Sequence, residues 1–396
     1  MLSAGSWALL GAKVPRDATV AQKLRAAGAI LLGKANLSQW ADWRSLNSSN
    51  GWSALGGQVY GPYFPDEDPN GSSSGSGVAS TLGLAPGCLG TETDGSILSP
   101  SSLNNLVGIK PSMQPFNFPR QMKAYTNVGV GLTSRHLIIP ISEHQDTVGP
   151  MTRTVKDAAR ILQAIAGVDP YDNYTSAIPK NGNIPDYVAA CNLSALSGAR
   201  LGVPRNVISL FSDNTTGPIT DAFEEALGIF EAASAIIVDN TNFTAAEEFK
   251  NSTLPAEVLN ADFVVNLQSY LELLTDNPNN ITSLAVLRNF TQAFPLEDYP
   301  TRDTGEWDKA LQSWNNTDSR FWPAYQQNMF YGGEGGLLGA IERNSLDAVI
   351  LPTKFGHDYA AVIGSPVVTV PLGSYPAGTP IVKNSWGLVQ SAPNLP

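Results

Sequence analysis

Apolar and polar positions alternate along this chain in blocks that predict helices and strands in turn. Residues 17–28 (DATVAQKLRAAG) bring Val20, Leu24 and Ala27 onto one face of a 3.6-residue repeat, with Asp17 placed as N-cap and Gly28 as the stop. The continuous apolar run AILLG that follows predicts a buried strand. Gly, Pro and aromatic residues then break the pattern from 51 to 69, which predicts an irregular surface segment without chemistry of its own. A Ser/Gly cluster at 70–77 opens a helix of small residues, and a short apolar run leads into a second tight turn, TETDGS.

Further along, Thr154 and Asp157 form a capping box ahead of a stripe of Val155, Ala158, Leu162 and Ile165 that Gly167 ends. DTVGPM, just before it, reads as a core-packing turn. ARLGVP predicts a strand, ITDAFEEALGIFEAASAIIVDN one helix running into another, and 240–330 a largely helical region with scattered aromatics. IGSPVVTVPLGSYPAGTPIV predicts a buried strand and exit turn. This alternation indicates an α/β architecture.

Composition narrows the function classes. The 396 residues are 42% hydrophobic and 15% charged, enough apolar material for a sizeable core, with a formal charge of −11. An acidic chain without a Lys/Arg run is not built for a phosphate backbone, so nucleic acid is not expected as a partner. No apolar segment approaches the roughly 20 residues of a membrane helix. Cys88 and Cys191 make neither a disulfide framework nor a metal cluster, and His136, His144 and His357 lack ligand spacing, so no metal and no cofactor is expected. Asn-X-Ser/Thr sequons crowd the stretch from Asn173 to Asn315, which favours a secreted parent protein. MLSAGSWALLGAKVP is not a signal peptide, which leaves a cytoplasmic location open.

The chemistry concentrates in NGSSSGSGVASTLGLAPGCLGTETDGSILSPSSLNNLVGIK, residues 70–110. Glycines beside serines at two sharp turns let a hydroxyl be presented with neighbouring N–H groups converging on one point, which is what acyl transfer requires. A flexible linker would not run straight into VASTLGLA and CLGTE.

This stretch resembles the amidase signature family, with NGSSSGSG standing for its Gly/Ser motif and TETDGSILSPSSLNNLVGIKPS for its nucleophile turn and following strand. GKANLSQWADWRS and IPISEHQDTVGPMTRTVKDAARILQAIAG continue the resemblance. It implies one domain over 1–396 with a mixed central β-sheet covered by helices on both faces. It also implies an amide hydrolase working through an acyl-enzyme on small-molecule amides. Carried over by position, Ser96 is the nucleophile, Ser72 the bridging serine in a cis peptide, and Ser73 its supporting neighbour. The backbone of Thr93, Asp94, Gly95 and Ser96 stands for the oxyanion hole. Asn70, Ser74 and Asp94 replace glycines of the motif, and Asp94 must point away from a developing oxyanion.

Three further expectations follow from the resemblance. The family's base is a neutral lysine in a KD-containing strand upstream of AGSWALLGAKVPRDA, so the domain reads as incomplete at both termini and the chain as nearly inert on simple amides. Lys13, Lys23 and Lys34 have no matching role. Residues 113–129 interrupt the pattern as a loop insertion or a retained intron. The alternatives to a hydrolase are a non-catalytic relic that binds acyl ligands and the A-type amidotransferase subunit that handles glutamine for aminoacyl-tRNA. Nothing in the sequence sets the oligomeric state.

Overall fold

The computed structural model describes residues 3–113, 131–178, 184–213 and 215–396. Helix α1 (Thr19–Ala26) leads through an extended stretch to a small hairpin, β1 (Trp52–Ser53) with β2 (Gly57–Gln58). Then come α2 (Ser74–Thr81), β3 (Gly87–Glu92), α3 (Leu98–Leu103), β4 (Val107–Lys110), β5 (Thr147–Thr152) and α4 (Val155–Ile165). After these follow β6 (Arg200–Val203), α5 (Arg205–Phe211), α6 (Gly217–Ala232) and β7 (Ile236–Asp239). A helical region holds α7 (Ala246–Lys250), α8 (Leu254–Leu271), α9 (Leu284–Ala293), α10 (Gly305–Gln312), α11 (Phe321–Gly332) and α12 (Leu337–Asn344). The chain closes with β8 (Ala348–Val349), α13 (His357–Ala361), β9 (Val367–Thr369), β10 (Val382–Lys383) and β11 (Val389–Ser391).

The α/β expectation holds, with the mixed character divided between sheets. One sheet has the order β3-β5-β4-β9 with antiparallel neighbours, in register from Gly87 against Thr152 to Glu92 against Thr147. A second, parallel sheet has the order β7-β6-β8. DTVGPM is therefore not a turn: Thr147–Thr152 is the strand between β3 and β4, buried at all six positions. AIIVDN is likewise strand β7 rather than a second helix, because Ile236–Asp239 pairs in parallel with β6.

The α4 forecast is largely met. Thr154 Oγ1 accepts from the Asp157 N–H at 3.1 Å and donates to Asp157 Oδ2 at 2.7 Å, while Ala158, Leu162 and Ile165 are buried. Val155 is exposed, since the first residue of the helix faces solvent. In α1 the N-cap is Ala18, and Asp17 instead pairs with Arg25 at 2.9 Å. Gly28 follows the helix at φ +86, the left-handed region that glycine enters without steric cost. Two buried-strand expectations fail. In AILLG, Ile30 is 85% and Leu32 72% exposed, because no strand among the described residues pairs with this segment; β9 is an edge strand, which leaves Val368 54% exposed.

The core beside the site is aromatic and helical. Trp40 meets Trp307 edge-on at 5.7 Å, and both pack with Phe263, Leu267 and Leu284. A buried polar group ties the N-terminal segment to this core. Glu297 accepts from the Ser6 hydroxyl at 2.6 Å, the Trp7 N–H at 2.7 Å and Gln39 Nε2 at 2.7 Å, and pairs with Arg44 at 3.1 Å. Of the 113–129 interruption, only Met113 lies among the described residues, buried with its N–H donating to Gly364 O at 2.8 Å.

Candidate active site

The two serine turns meet where the sheet ends. The Ser73 N–H donates to the Ser96 carbonyl at 3.2 Å, Ser73 Oγ donates to Thr91 O at 3.1 Å, and the Thr91 N–H returns a bond to Ser73 Oγ at 3.2 Å. Ser73 therefore pins the start of α2 to the end of β3. The Gly71–Ser72 peptide is cis, and Ser72 is buried beside it. No hydrogen bond joins Ser72 Oγ to Ser96 Oγ among the described residues.

The departures from a glycine-only motif have local reasons. Asn70 sits at φ +56, a left-handed position that Asn tolerates better than most side chains, and its Oδ1 accepts from the Gly71 N–H at 2.6 Å. Ser74 Oγ then donates to Asn70 O at 2.5 Å, so the two substitutions support each other.

At the second turn, Gly95 takes φ +74, bending the chain between β3 and α3. Glu92 Oε2 accepts from the N–H groups of Ile97 at 2.6 Å and Leu98 at 2.9 Å, which satisfies the first free donors of α3. Thr93 Oγ1 donates to Asp146 Oδ1 at 2.6 Å, fixing the other side of the turn. The backbone N–H groups of Asp94, Gly95 and Ser96 have no protein acceptor among the described residues, which leaves them free for a ligand oxygen.

Thr93, Asp94, Gly95 and Ser96 line a cavity of about 720 Å³, together with Asn50, Glu67, Asp68 and Asn70. The irregular 51–69 segment supplies both Glu67 and Asp68 to this lining. Asp42 also lines the cavity. Trp40, Ala41 and Asp42 occupy three successive left-handed positions at φ 54, 56 and 65, a costly backbone for residues with a Cβ, and this turn delivers the Asp42 carboxylate to Gly71. A Cβ added at Gly71 would meet Asp42 Oδ2 and Ser38 Oγ, each at 2.5 Å, so only glycine fits between them. Burial raises the Asp42 carboxyl to about 7, with repulsion from Asp68 adding to it against a bond from Ser38. Nothing in the sequence pattern flagged Asp42, because a lone Asp between two Trp residues has no spacing to read.

Of the lysines weighed from sequence, none lines the cavity. Lys13 pairs with Asp276 at 2.8 Å, and Lys23 Nζ donates to Ala166 O at 2.9 Å and Gly167 O at 2.8 Å. Lys34 is exposed. Lys354 does line the cavity, while Lys110 lies fully buried behind the turn, donating to Ser365 O at 2.9 Å, with burial lowering it to about 8.

Two histidines that looked scattered in sequence sit among carboxylates. His144 Nδ1 lies 2.8 Å from Asp262 inside an aromatic shell that includes Phe321 and Tyr325. His357 Nδ1 lies 2.7 Å from Asp94 and 2.7 Å from Asp358, on the wall of the serine cavity.

The family profile for amidases matches residues 1–385. The chain belongs to the amidase family. An Arthroderma benhamiae relative that carries an amidase name is 54% identical over 395 residues, covering 100% of this chain and 63% of the relative, so the chain spans under two thirds of that relative's length. The peptide amidase from Stenotrophomonas maltophilia superposes with a TM-score of 0.81 at 34% identity, over 94% of this amidase-family chain and 73% of that structure. A glutamyl-tRNA(Gln) amidotransferase component from Pseudomonas syringae is 37% identical, but over 235 residues only, 59% of this chain and 42% of the relative.

Proposed function

We propose that this protein hydrolyses carbon–nitrogen amide bonds, with Ser96 as nucleophile, Ser72 as the bridging hydroxyl, and the backbone of Thr93 to Ser96 as the oxyanion hole. The observation that carries this reading is the Ser73-to-Ser96 backbone bond, which holds both serine turns against one cavity. As Ser96 Oγ attacks the carbonyl carbon, its proton is relayed by way of Ser72 to the amide nitrogen that leaves. The tetrahedral oxyanion is met by the free N–H groups of the turn, a contribution of about 2.7–4 kcal/mol per donor in comparable sites. Collapse breaks the C–N bond, the amine leaves with a proton, and water then cleaves the Ser96 ester to release the acid.

The cavity is large enough for a peptide-sized acyl group, and the likeness to a peptide amidase makes a peptide amide the first substrate to try. The amidotransferase reading is weaker, because that similarity stops at 59% of the chain. A serine-directed fluorophosphonate tests the assignment, with adducts mapped by peptide mass. Modification of Ser96, absent in Ser96→Ala, is expected. Modification at Ser72 or Ser73 instead overturns the assignment, and no modification at any of the three supports the non-catalytic alternative.

A further inference from the structure

The Asp94 carboxylate belongs to the same turn as the amides proposed to receive an oxyanion, and a bare negative charge there would oppose the charge that develops on the substrate. The structure shows how it is held. His357, at the start of α13, reaches the turn from 263 residues away in sequence, and its Nδ1 stands 2.7 Å from Asp94 Oδ1. The imidazole also crowds the bend itself, for a Cβ added at Gly95 would meet His357 Cε1 at 2.9 Å and Nδ1 at 3.1 Å. The ring thus occupies space that a side chain at position 95 would need.

We propose that His357 is a positioning residue for the Ser96 turn: it anchors the Asp94 carboxylate and sets a positive charge against it, so that an oxyanion at the Asp94–Ser96 amides does not face an uncompensated negative group. This rests on the amide-hydrolase reading of Ser96. The charged groups around His357 are Asp94 from the turn, Glu92 from the end of β3, Asp358 from its own helix, Lys110 from β4, and Lys354 on the cavity wall. Burial would push the imidazole down, but Asp94 and Asp358 together carry it well above its usual value, so it stays charged at neutral pH. Burial and the nearby Asp358 raise Asp94 to about 6, whereas Asp358, bonded to His357, is held below its ordinary range. The imidazole ring stands within hydrogen-bond distance of both carboxyl groups. A charged His357 bound through Nδ1 is not the proton acceptor of the reaction, and its contribution is electrostatic.

The test measures the rate at which the full chain is modified at Ser96 by a fluorophosphonate across a range of pH, with histidine NMR on the same samples. His357→Ala is expected to slow modification by about tenfold or more. His357→Gln, which keeps an N–H donor but not the charge, should fall between Ala and the parent. Asp94→Asn combined with His357→Ala should recover most of the parent rate, since no carboxylate then needs compensating. In the parent, modification should decline on the alkaline side as the imidazolium resonance titrates, above the ordinary histidine value of about 6.5. Asp94→Asn alone should move that resonance to lower pH. Equal rates for parent and His357→Ala overturn the positioning role while leaving the Ser96 assignment intact. A double variant as slow as His357→Ala also overturns it, because His357 would then act on the reaction by another route. A parent chain that is never modified at Ser96 overturns the hydrolase reading, and this inference with it. Loss of the folded NMR spectrum in His357→Ala shifts the comparison to His357→Gln, where an unchanged rate overturns the proposal.

Discussion

Glu92 Oε2 lies 2.6 Å from the backbone nitrogen of Ile97, so a buried carboxylate at the end of a strand caps the helix that follows the proposed nucleophile. The same oxygen accepts a second bond, from the Leu98 N–H at 2.9 Å. Hydrogen bonds to a charged acceptor contribute about 1.5–3 kcal/mol each, and removing the acceptor leaves buried donors unpaired. Glu92→Ala is therefore expected to lower unfolding stability by about 3 kcal/mol, read from the urea midpoint at unchanged slope. A shift near zero would show that water or a neighbour caps α3 equally well.

The Asp42 carboxyl gives a pH signature. Its folded value of about 7 lies above the ordinary 3.8, so between those values the folded chain holds a proton that the unfolded chain has released. The contribution of this group to stability is thus greatest at the acid end, declines as pH rises through the window, and is flat above it. Asp42→Asn removes that slope. Relative to the parent, the variant should gain stability most at about pH 8 and least at about pH 4, measured by denaturant unfolding at both. The opposite ordering would mean that Asp42 is stabilised as the anion.

Glu297 and Arg44 test the anchor of the N-terminal segment. Both side chains are nearly inaccessible, and Glu297 also accepts from Ser6, Trp7 and Gln39. Removing one partner of a buried pair strands the other, at a typical cost of about 3–5 kcal/mol. Glu297→Ala should fall in that range by thermal or urea unfolding. Replacing both residues by apolar side chains of similar volume should recover much of the loss.

Leu32 tests the corrected strand expectation. At 72% exposure its side chain contributes little to the folded core, so Leu32→Ser should change stability by less than about 0.5 kcal/mol. A loss of several kcal/mol would show that something covers this segment in solution.

The local features of this protein were legible in order along the chain. The capping box at Thr154, the left-handed stop at Gly28, the helix after the Ser/Gly cluster and the strand before TETDGS all depend on neighbours within a turn or two, and sequence carries that information directly. The resemblance of residues 70–110 and the blocks around them points to the amidase family, and the profile match bears it out. Burial was less legible, because whether an apolar run such as AILLG or VVTV is covered depends on which strand lies beside it. AIIVDN read as helix because its apolar residues suit either state, and parallel pairing to β6 decided for strand. The tertiary structure alone brought Asp42, Glu67, Asp68 and His357 to the serine cavity. Asp94 and His357 are separated by most of the chain, and no spacing rule links them. Their contact exists because α13 packs its first residue against the bend at Gly95, and a carboxylate drawn out of water there is stabilised by a cation that only folding could bring to it.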